Sequence, residues 1–584
     1  VSRWDAVVVG AGMAGSLVAK ELGARGWRVL VLEAGPGQPE PASLERFRSA
    51  VFKTPNSPYA PAPYAPSADV LDLSRPPGEG HLVQQGPLPY ASGYLRANGG
   101  TGLVWTGLAP RMHPEDFRAG DFGHGRNWPI GYDQLEPYYQ AAEAELGVAA
   151  DAAEQRAAVG LPMPEQYRFP MPAVRHSHLD TVMAGAFDGR TAHDPAAGAP
   201  TPLRVTTTPH ARNTTAEGGP RCAGHASCVP ICPSHAKYTP LRTQARWSPT
   251  VTLVTRAVVT RVPLDGTGRA TGVEYRRHDA AGAGPVERVT AGLVVLAAHA
   301  VENARLLLLS GAGNRSDQVG RNLMDHPVLL TWGLMPRQVG PYRGPGSTTG
   351  LEGFRFGAAR ARRAPFRVEI GNWGWSWALG GPEQRVAGLL REGLLGAELR
   401  RAVGDRVGRE FAFQFELEQD AVPSNRVTLH PTLRDPLGLP RPAVHYDLSD
   451  WVKRGFASAF AVSEQLMALL GAEDHTEFAP GPLWPGAFEH QGRRYAYRAA
   501  GHGAGTHVMG AAPGDSVVDE WQRCWDHPNL YAVGCGSMPS VATANPSLTM
   551  AALALRSADR MHHDLTRARR PAQPARTRSP EERP

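Results

Sequence analysis

Three glycines and one carboxylate near the start of the chain have the types and spacing to hold a dinucleotide. Gly10, Gly12 and Gly15 form G-x-G-x-x-G, and Glu33 stands eighteen residues beyond Gly15. In such a motif the first glycine makes a tight turn. The second lets a pyrophosphate approach the backbone, and the third lets a helix pack on a strand. The carboxylate accepts hydrogen bonds from a ribose. The four residues indicate an adenine dinucleotide without choosing between NAD and FAD. Farther along, Cys222, Cys228 and Cys232 are followed by Pro233. Three thiolates at this spacing can hold an iron–sulfur cluster, or they can be small buried side chains. No fourth cysteine stands nearby. Gln414 and Glu416 lie two apart in a strand-like run and so share a face. That face could meet the hydroxyls of a sugar, or it could simply be exposed.

The elements that must place these groups are legible around them. Residues 5–9 read as a short buried strand, 16–25 as a helix ended by Gly26, and 28–32 as a second strand running into Glu33. This βαβ opening aims a helix N-terminus at a diphosphate. A second glycine-rich turn spans 96–107. A helix is expected over 140–146, with Asp133 as a candidate N-cap. Residues 36–90 and 150–220 read as loop-rich insertions. Strands are expected at 251–262, 272–277 and 293–298, followed by a helix at about 301–310. Beyond 326 the pattern becomes alternating strands (411–417, 442–446) with an amphipathic helix over 451–470. One more buried strand at 530–534 precedes a last helix over 547–562.

The expected fold class is α/β (α+β overall). A Rossmann-like dinucleotide-binding domain, 1–325 and 501–565, is joined to a substrate-binding domain, 326–500, with a mainly antiparallel sheet backed by helices. Residues 566–584 are too poor in apolar side chains to fold.

The 584 residues allow two or more domains. With 20% charged and 42% hydrophobic residues, the composition is that of an ordinary soluble protein. The net charge of +6 is modest and partly confined to the arginines of the tail, so no nucleic-acid partner is indicated. No apolar run approaches a membrane span. The first strand begins too close to residue 1 for a signal peptide, and five cysteines argue against a disulfide framework. These features lead to the expectation of a cytoplasmic enzyme.

The chain resembles the glucose–methanol–choline (GMC) oxidoreductase family of FAD-dependent alcohol oxidases and dehydrogenases. The marks are the fingerprint ending Glu33-Ala34-Gly35, the Asn98-Gly99-Gly100 turn, Gly320-Arg321-Asn322-Leu323-Met324-Asp325-His326, the run from His502 to Gly510, and Gly534-Cys535-Gly536 leading to Ala544-Asn545-Pro546-Ser547. The resemblance implies FAD held by Gly10, Gly12, Gly15, Glu33, Ala34, Gly99, Gly100, Thr101, Val259, Cys535, Asn545, Pro546 and Ser547. It implies His502 as general base and Asn545 as donor to the substrate oxygen, with His507 a packing residue. Where some pyranose oxidases carry a flavin-linking histidine this chain has Val104, before Trp105, so the FAD is expected to be non-covalent.

Two branches look similar, pyranose and glycoside 3-oxidases and the FAD glucose and fructose dehydrogenases. The expectation is oxidation of a C2 or C3 ring hydroxyl of a pyranose or glycoside to a ketone, with O2 reduced to hydrogen peroxide. The alternative is a dehydrogenase subunit passing electrons through a three-iron cluster at the cysteine trio to a quinone or cytochrome partner. No metal-ion site is expected. The tryptophans of 372–377 could stack on rings, and Thr348, Thr349 and Gly350 could belong to a gating loop.

Overall fold

The computed structural model describes residues 3–50, 57–68, 80–217, 219–373, 382–476, 478 and 485–569. The opening segment folds as its pattern requires. Strand β1 (Arg3–Val9), helix α1 (Met13–Ala24) and strand β2 (Val29–Leu32) form the βαβ unit. Every residue of β2 is buried, as in a parallel strand covered on both faces. Helix α2 (Tyr132–Leu146) starts earlier than expected and runs through Pro137. Its N-cap is Gly131, whose N–H donates to Gln134 Oε1 at 2.9 Å, and Asp133 sits within the first turn. Burial of Tyr132, Leu135 and Tyr139 holds these two extra turns.

The segment read as loop-rich contains α3 (His178–Phe187), closed by a capping box between Ser177 and Asp180. That Ser-x-x-Asp spacing is a readable start signal. It is followed by β3 (Val205–Thr207). The single run expected at 251–262 is two strands, β4 (Val251–Val254) and β5 (Ala257–Arg261), broken where Arg256 takes φ 54°. Then come β6 (Gly272–His278), β7 (Ala283–Leu296) and α4 (Ala300–Ser310).

The parallel sheet runs β7–β1–β2–β4, with Val294, Val7, Leu30 and Thr252 in register. β7 is long enough to serve two partners. Its C-terminal half pairs with β1, and its N-terminal half pairs antiparallel with β6. Because β1 is flanked by β2 on one side and β7 on the other, the chain leaves its C-terminal end in two directions. This is the switch point at which open α/β sheets bind ligands.

The second sheet is antiparallel. It uses β8 (Pro327–Leu334), β9 (Ser347–Leu351), β10 (Phe366–Gly371), β11 (Glu410–Leu417), β12 (Gly486–His490) and β13 (Arg493–Ala499), in the order β12–β13–β8–β11–β10–β9–β3. Thr348, Thr349 and Gly350 are therefore strand residues and not a loop; Thr349 and Gly350 pair with β3, and Gly350 also pairs with β10. Helix α5 (Asp450–Leu470) packs against β8 and β11. Along β11, Phe411, Phe413 and Phe415 alternate with Ala412, Gln414 and Glu416. Phe413 meets Phe187 of α3, so the polar pair points to the opposite face.

Strand β14 (Leu530–Ala532) returns to the parallel sheet beside β7. Helix α6 (Ser547–Arg569) packs against α1 and α2. It continues seven residues past the expected end at 562, taking in 566–569 of the expected tail; the remainder lies outside the described residues. Of the 372–377 stretch, Asn372 and Trp373 are buried, and the other positions likewise fall outside the described residues. Among the described residues no helix is long and apolar enough to cross a membrane.

Candidate active site

A cavity of about 410 Å³ opens at the switch point. Gly10, Gly12, Glu33 and Ala34 line it, with Gly100, Thr101 and Val104 from the second glycine turn and Val259 from β5. His502, Cys535, Asn545, Pro546 and Ser547 line it too. The fingerprint and the C-terminal motifs, some 500 residues apart in sequence, thus face one space.

The packing around each glycine of the turn differs. Gly10 has φ +102°, and a Cβ there would lie 2.5 Å from the carbonyl oxygen of Ala297. A Cβ on Gly15 would lie 2.0 Å from the carbonyl oxygen of Gly10, so α1 packs on β1 only because that side chain is absent. Gly12 differs, since a Cβ there meets nothing within 4 Å. Its open side leaves room for a phosphate at the N-terminus of α1. Glu33 accepts N–H groups from Ala11 and Gly35, each at 2.8 Å. Burial raises its pKa, against the lowering effect of those donors. Gly99 does not reach the cavity lining, but its N–H donates to the carbonyl of Ala11 at 3.1 Å and holds the two glycine turns together.

At the other end of the cavity lie His502 and Asn545. His502 precedes no regular element, and its backbone is held by Asp325, whose two carboxylate oxygens each accept the His502 N–H at 3.0 Å. Asp325 is fully buried. It also accepts from Ser92 Oγ at 2.6 Å, from Tyr90 OH at 3.2 Å and from the His326 N–H at 2.7 Å. The His502 ring lies 2.8 Å, Nδ1 to Nδ1, from His326, whose Nε2 is 2.9 Å from the carbonyl oxygen of Ala542. Burial, and secondarily His326, push the His502 pKa well below the usual histidine value. Asp325, His326 and His502 each offer a donor atom within 4.8 Å of the others. The hydrogen bonds just given already occupy the carboxylate, so a bound cation is not needed to explain the cluster. Neither Asp325 nor His326 was singled out as a site residue from sequence. The signal was the Asp-His-Pro run, which marks the start of β8.

Asn545 stands just ahead of α6, with Pro546 beside it. Its Nδ2 donates to Glu416 Oε1 at 3.1 Å. Glu416 and Gln414 are buried, which removes the exposed-face alternative, and Glu416 reaches the site through Asn545. In register beside them are Arg367 and Glu369 of β10. Burial, reinforced by Glu369, raises the Glu416 pKa well above the usual carboxyl range. Asn545 Oδ1 and Glu416 Oε2 are buried without a hydrogen-bond partner among the described residues. Cys535 borders the cavity as a neutral thiol, pushed by burial up to about 12. His507 packs instead against Gly536 and meets Thr506 Oγ1 at 3.3 Å.

The cysteine trio forms a separate cluster. Arg212 Nη1 lies 3.4 Å from Cys228 Sγ and 3.8 Å from Cys222 Sγ, and Cys232 Sγ lies 3.5 Å from Ser234 Oγ. Lys237, fully buried, donates to the carbonyls of Leu103 and Cys228, which ties this segment to the second glycine turn.

Residues 206–328 and 421–554 match the N- and C-terminal family models of GMC oxidoreductases. The fructose dehydrogenase large subunit of Gluconobacter japonicus is 30% identical, with 96% of this chain and 98% of that protein aligned. The C-glycoside 3-oxidase of Arthrobacter globiformis is 28% identical over 55% of each chain. Pyridoxine 4-oxidase from Mesorbium loti has the same fold, with a TM-score of 0.58 at 19% identity over 96% of this chain and 99% of that one. The family typically binds FAD, and the matches give no support to an iron–sulfur cluster. With both family models matched and a full-length relative at 30% identity, the chain belongs to the GMC oxidoreductase family and is an oxidoreductase acting on CH–OH groups.

Proposed function

We propose that the protein oxidises a secondary ring hydroxyl, at C2 or C3, of a pyranose sugar or glycoside to a ketone, using non-covalently bound FAD. The observation that carries this reading is the placement of His502 and Asn545 on the same cavity as the dinucleotide turn. Gly10, Gly12, Gly15 and Glu33 would hold the adenine side, and Gly100, Thr101, Val104 and Pro546 would border the ring. When bound, FAD supplies the hydride acceptor.

The protein's own part is binding and proton handling. His502, held neutral by burial, takes the hydroxyl proton as the carbon gives up its hydride equivalent. Asn545 orients the substrate oxygen, and Glu416 holds the Asn545 amide. The N-terminus of α6 favours negative charge at the cavity. Gln414, on the face of β11 shared with Glu416, is placed to meet other hydroxyls.

The test is His502→Ala. Turnover is expected to fall by about 10²–10⁴-fold, the usual worth of a general base, with FAD still bound. Retained turnover removes His502 as the base.

For the electron acceptor, similarity to the fructose dehydrogenase large subunit along nearly the whole chain favours a dehydrogenase over the oxidase expected from sequence. Faster turnover with an artificial dye than with oxygen supports that reading. Stoichiometric hydrogen peroxide at comparable rates restores the oxidase.

A further inference from the structure

His502 and the turn that leads to Asn545 are tied together by His326, which is fully buried and does not line the cavity. Its two ring nitrogens have different partners. Nε2 faces the carbonyl oxygen of Ala542 at 2.9 Å, and Nδ1 faces His502 Nδ1 at 2.8 Å. A carbonyl oxygen only accepts, so His326 Nε2 carries a proton. A neutral imidazole has one N–H, which leaves His326 Nδ1 bare. Burial keeps this ring neutral, with its pKa pushed down to about 4. A contact of 2.8 Å between two nitrogens needs one proton between them, and that proton must belong to His502 Nδ1. His502 Nε2 is then the bare nitrogen.

From this geometry we infer that His326 is a positioning residue: it fixes His502 in the Nδ1–H tautomer, makes Nε2 the proton-accepting atom, and anchors that choice to the turn that carries Asn545. The inference rests on His502 being the base. Two further features agree with it. Ala542 takes φ +56°, a left-handed conformation that residues other than glycine, asparagine and aspartate rarely adopt. This turn aims its carbonyl at His326, three residues before Asn545. The carboxylate of Asp325 also accepts the backbone N–H of both histidines, so their backbones are held to one anchor.

Replacing His326 in the holoenzyme separates this role from packing. His326→Asn keeps an acceptor at the Nδ1 position. His326→Gln keeps a donor toward Ala542 but offers His502 no acceptor, and His326→Leu keeps only volume. The expected result is a loss of about 100-fold in kcat for the Gln and Leu variants, by analogy with other partners that fix an imidazole tautomer. KM and flavin content change little, and the Asn variant recovers at least about tenfold of the loss. A merely structural role predicts the reverse, with Gln and Leu closer to wild type than Asn, and that order overturns the inference.

A second measurement needs no His326 variant. In protein labelled with ¹⁵N-histidine, the resonances lost in His502→Ala report that ring, and they should show a protonated Nδ1 and a bare Nε2. A protonated Nε2 refutes the inference directly. If His502→Ala itself retains turnover, the base assignment fails, and the spectrum still decides the tautomer.

Discussion

Gly12→Ala and Gly15→Ala are neighbouring, chemically identical changes that should fail for different reasons. Gly15 sits where a new methyl would lie 2.0 Å from the carbonyl oxygen of Gly10 and 3.2 Å from the Ala297 side chain. The first of these is backbone, held in a turn whose own φ is +102°, and cannot swing aside. α1 must therefore move off β1. Overpacking of a tight core contact costs about 1–3 kcal/mol, and a clash with immobile backbone belongs at the upper end. At Gly12 the same methyl meets nothing within 4 Å, and the backbone there, φ −71° and ψ −167°, suits alanine. Lost conformational freedom in the unfolded chain, about 0.4–1 kcal/mol, offsets the weaker N-cap. Folding should be nearly unchanged, yet the methyl projects into the space a diphosphate needs. The assay is a pair of readings on each purified variant: flavin absorbance per chain, and the melting temperature of flavin-free protein. Gly15→Ala should lose both, with a flavin-free Tm several degrees below wild type. Gly12→Ala should melt within about a degree of wild type and lose at least tenfold in FAD affinity, about 1.4 kcal/mol. Wild-type FAD affinity in Gly12→Ala would show that the open side of Gly12 is not where the phosphates lie, and would refute the assignment of the cavity.

Three other outcomes follow from the site. His502 has a pKa held well below the ordinary histidine value of 6.5 by burial and His326, so it remains a competent base as pH falls through that value. The rate of flavin reduction should be flat from pH 8 through 6.5 and fall only below; an acid limb centred at 6.5 or higher would contradict the buried, neutral base. Glu416→Ala removes the acceptor for Asn545 Nδ2 and leaves a buried amide without a partner, which costs about 1–3 kcal/mol and should lower kcat/KM by about 10–100-fold. Glu416→Gln keeps an acceptor and should retain most activity, and equal losses in the two variants would deny Glu416 this role. An absorption spectrum with an iron and sulfide assay tests the cysteine trio. Flavin bands without iron leave Arg212 and the thiols as a structural cluster, whereas about three irons per chain would show a cluster there.

The fingerprint was legible because its chemistry is local. Gly10, Gly12, Gly15 and Glu33 act within one βαβ unit, and the strand and helix periods on either side confirm each other. The same holds for α5, whose apolar stripe lies within one helix. What could not be read was whatever depends on two distant segments meeting. His326 stands just before β8 and looks like part of a domain boundary. Its role appears only when β8 brings it beside His502, 176 residues on, and beside the turn at Ala542, 216 residues on. The break at Arg256 was missed for a related reason, because its left-handed φ reflects the divergence of β4 and β5 to different partners and not any local turn residue. Glu416 was half legible. Period two put it on a polar face, but that face is buried inside the sheet, and Glu416 meets the Asn545 amide there. The proposed base, His502, is therefore a property of the assembled interface between the two sheets. Any substitution that lets the parallel sheet and the antiparallel sheet drift apart by an ångström should cost catalysis before it costs either sheet its fold.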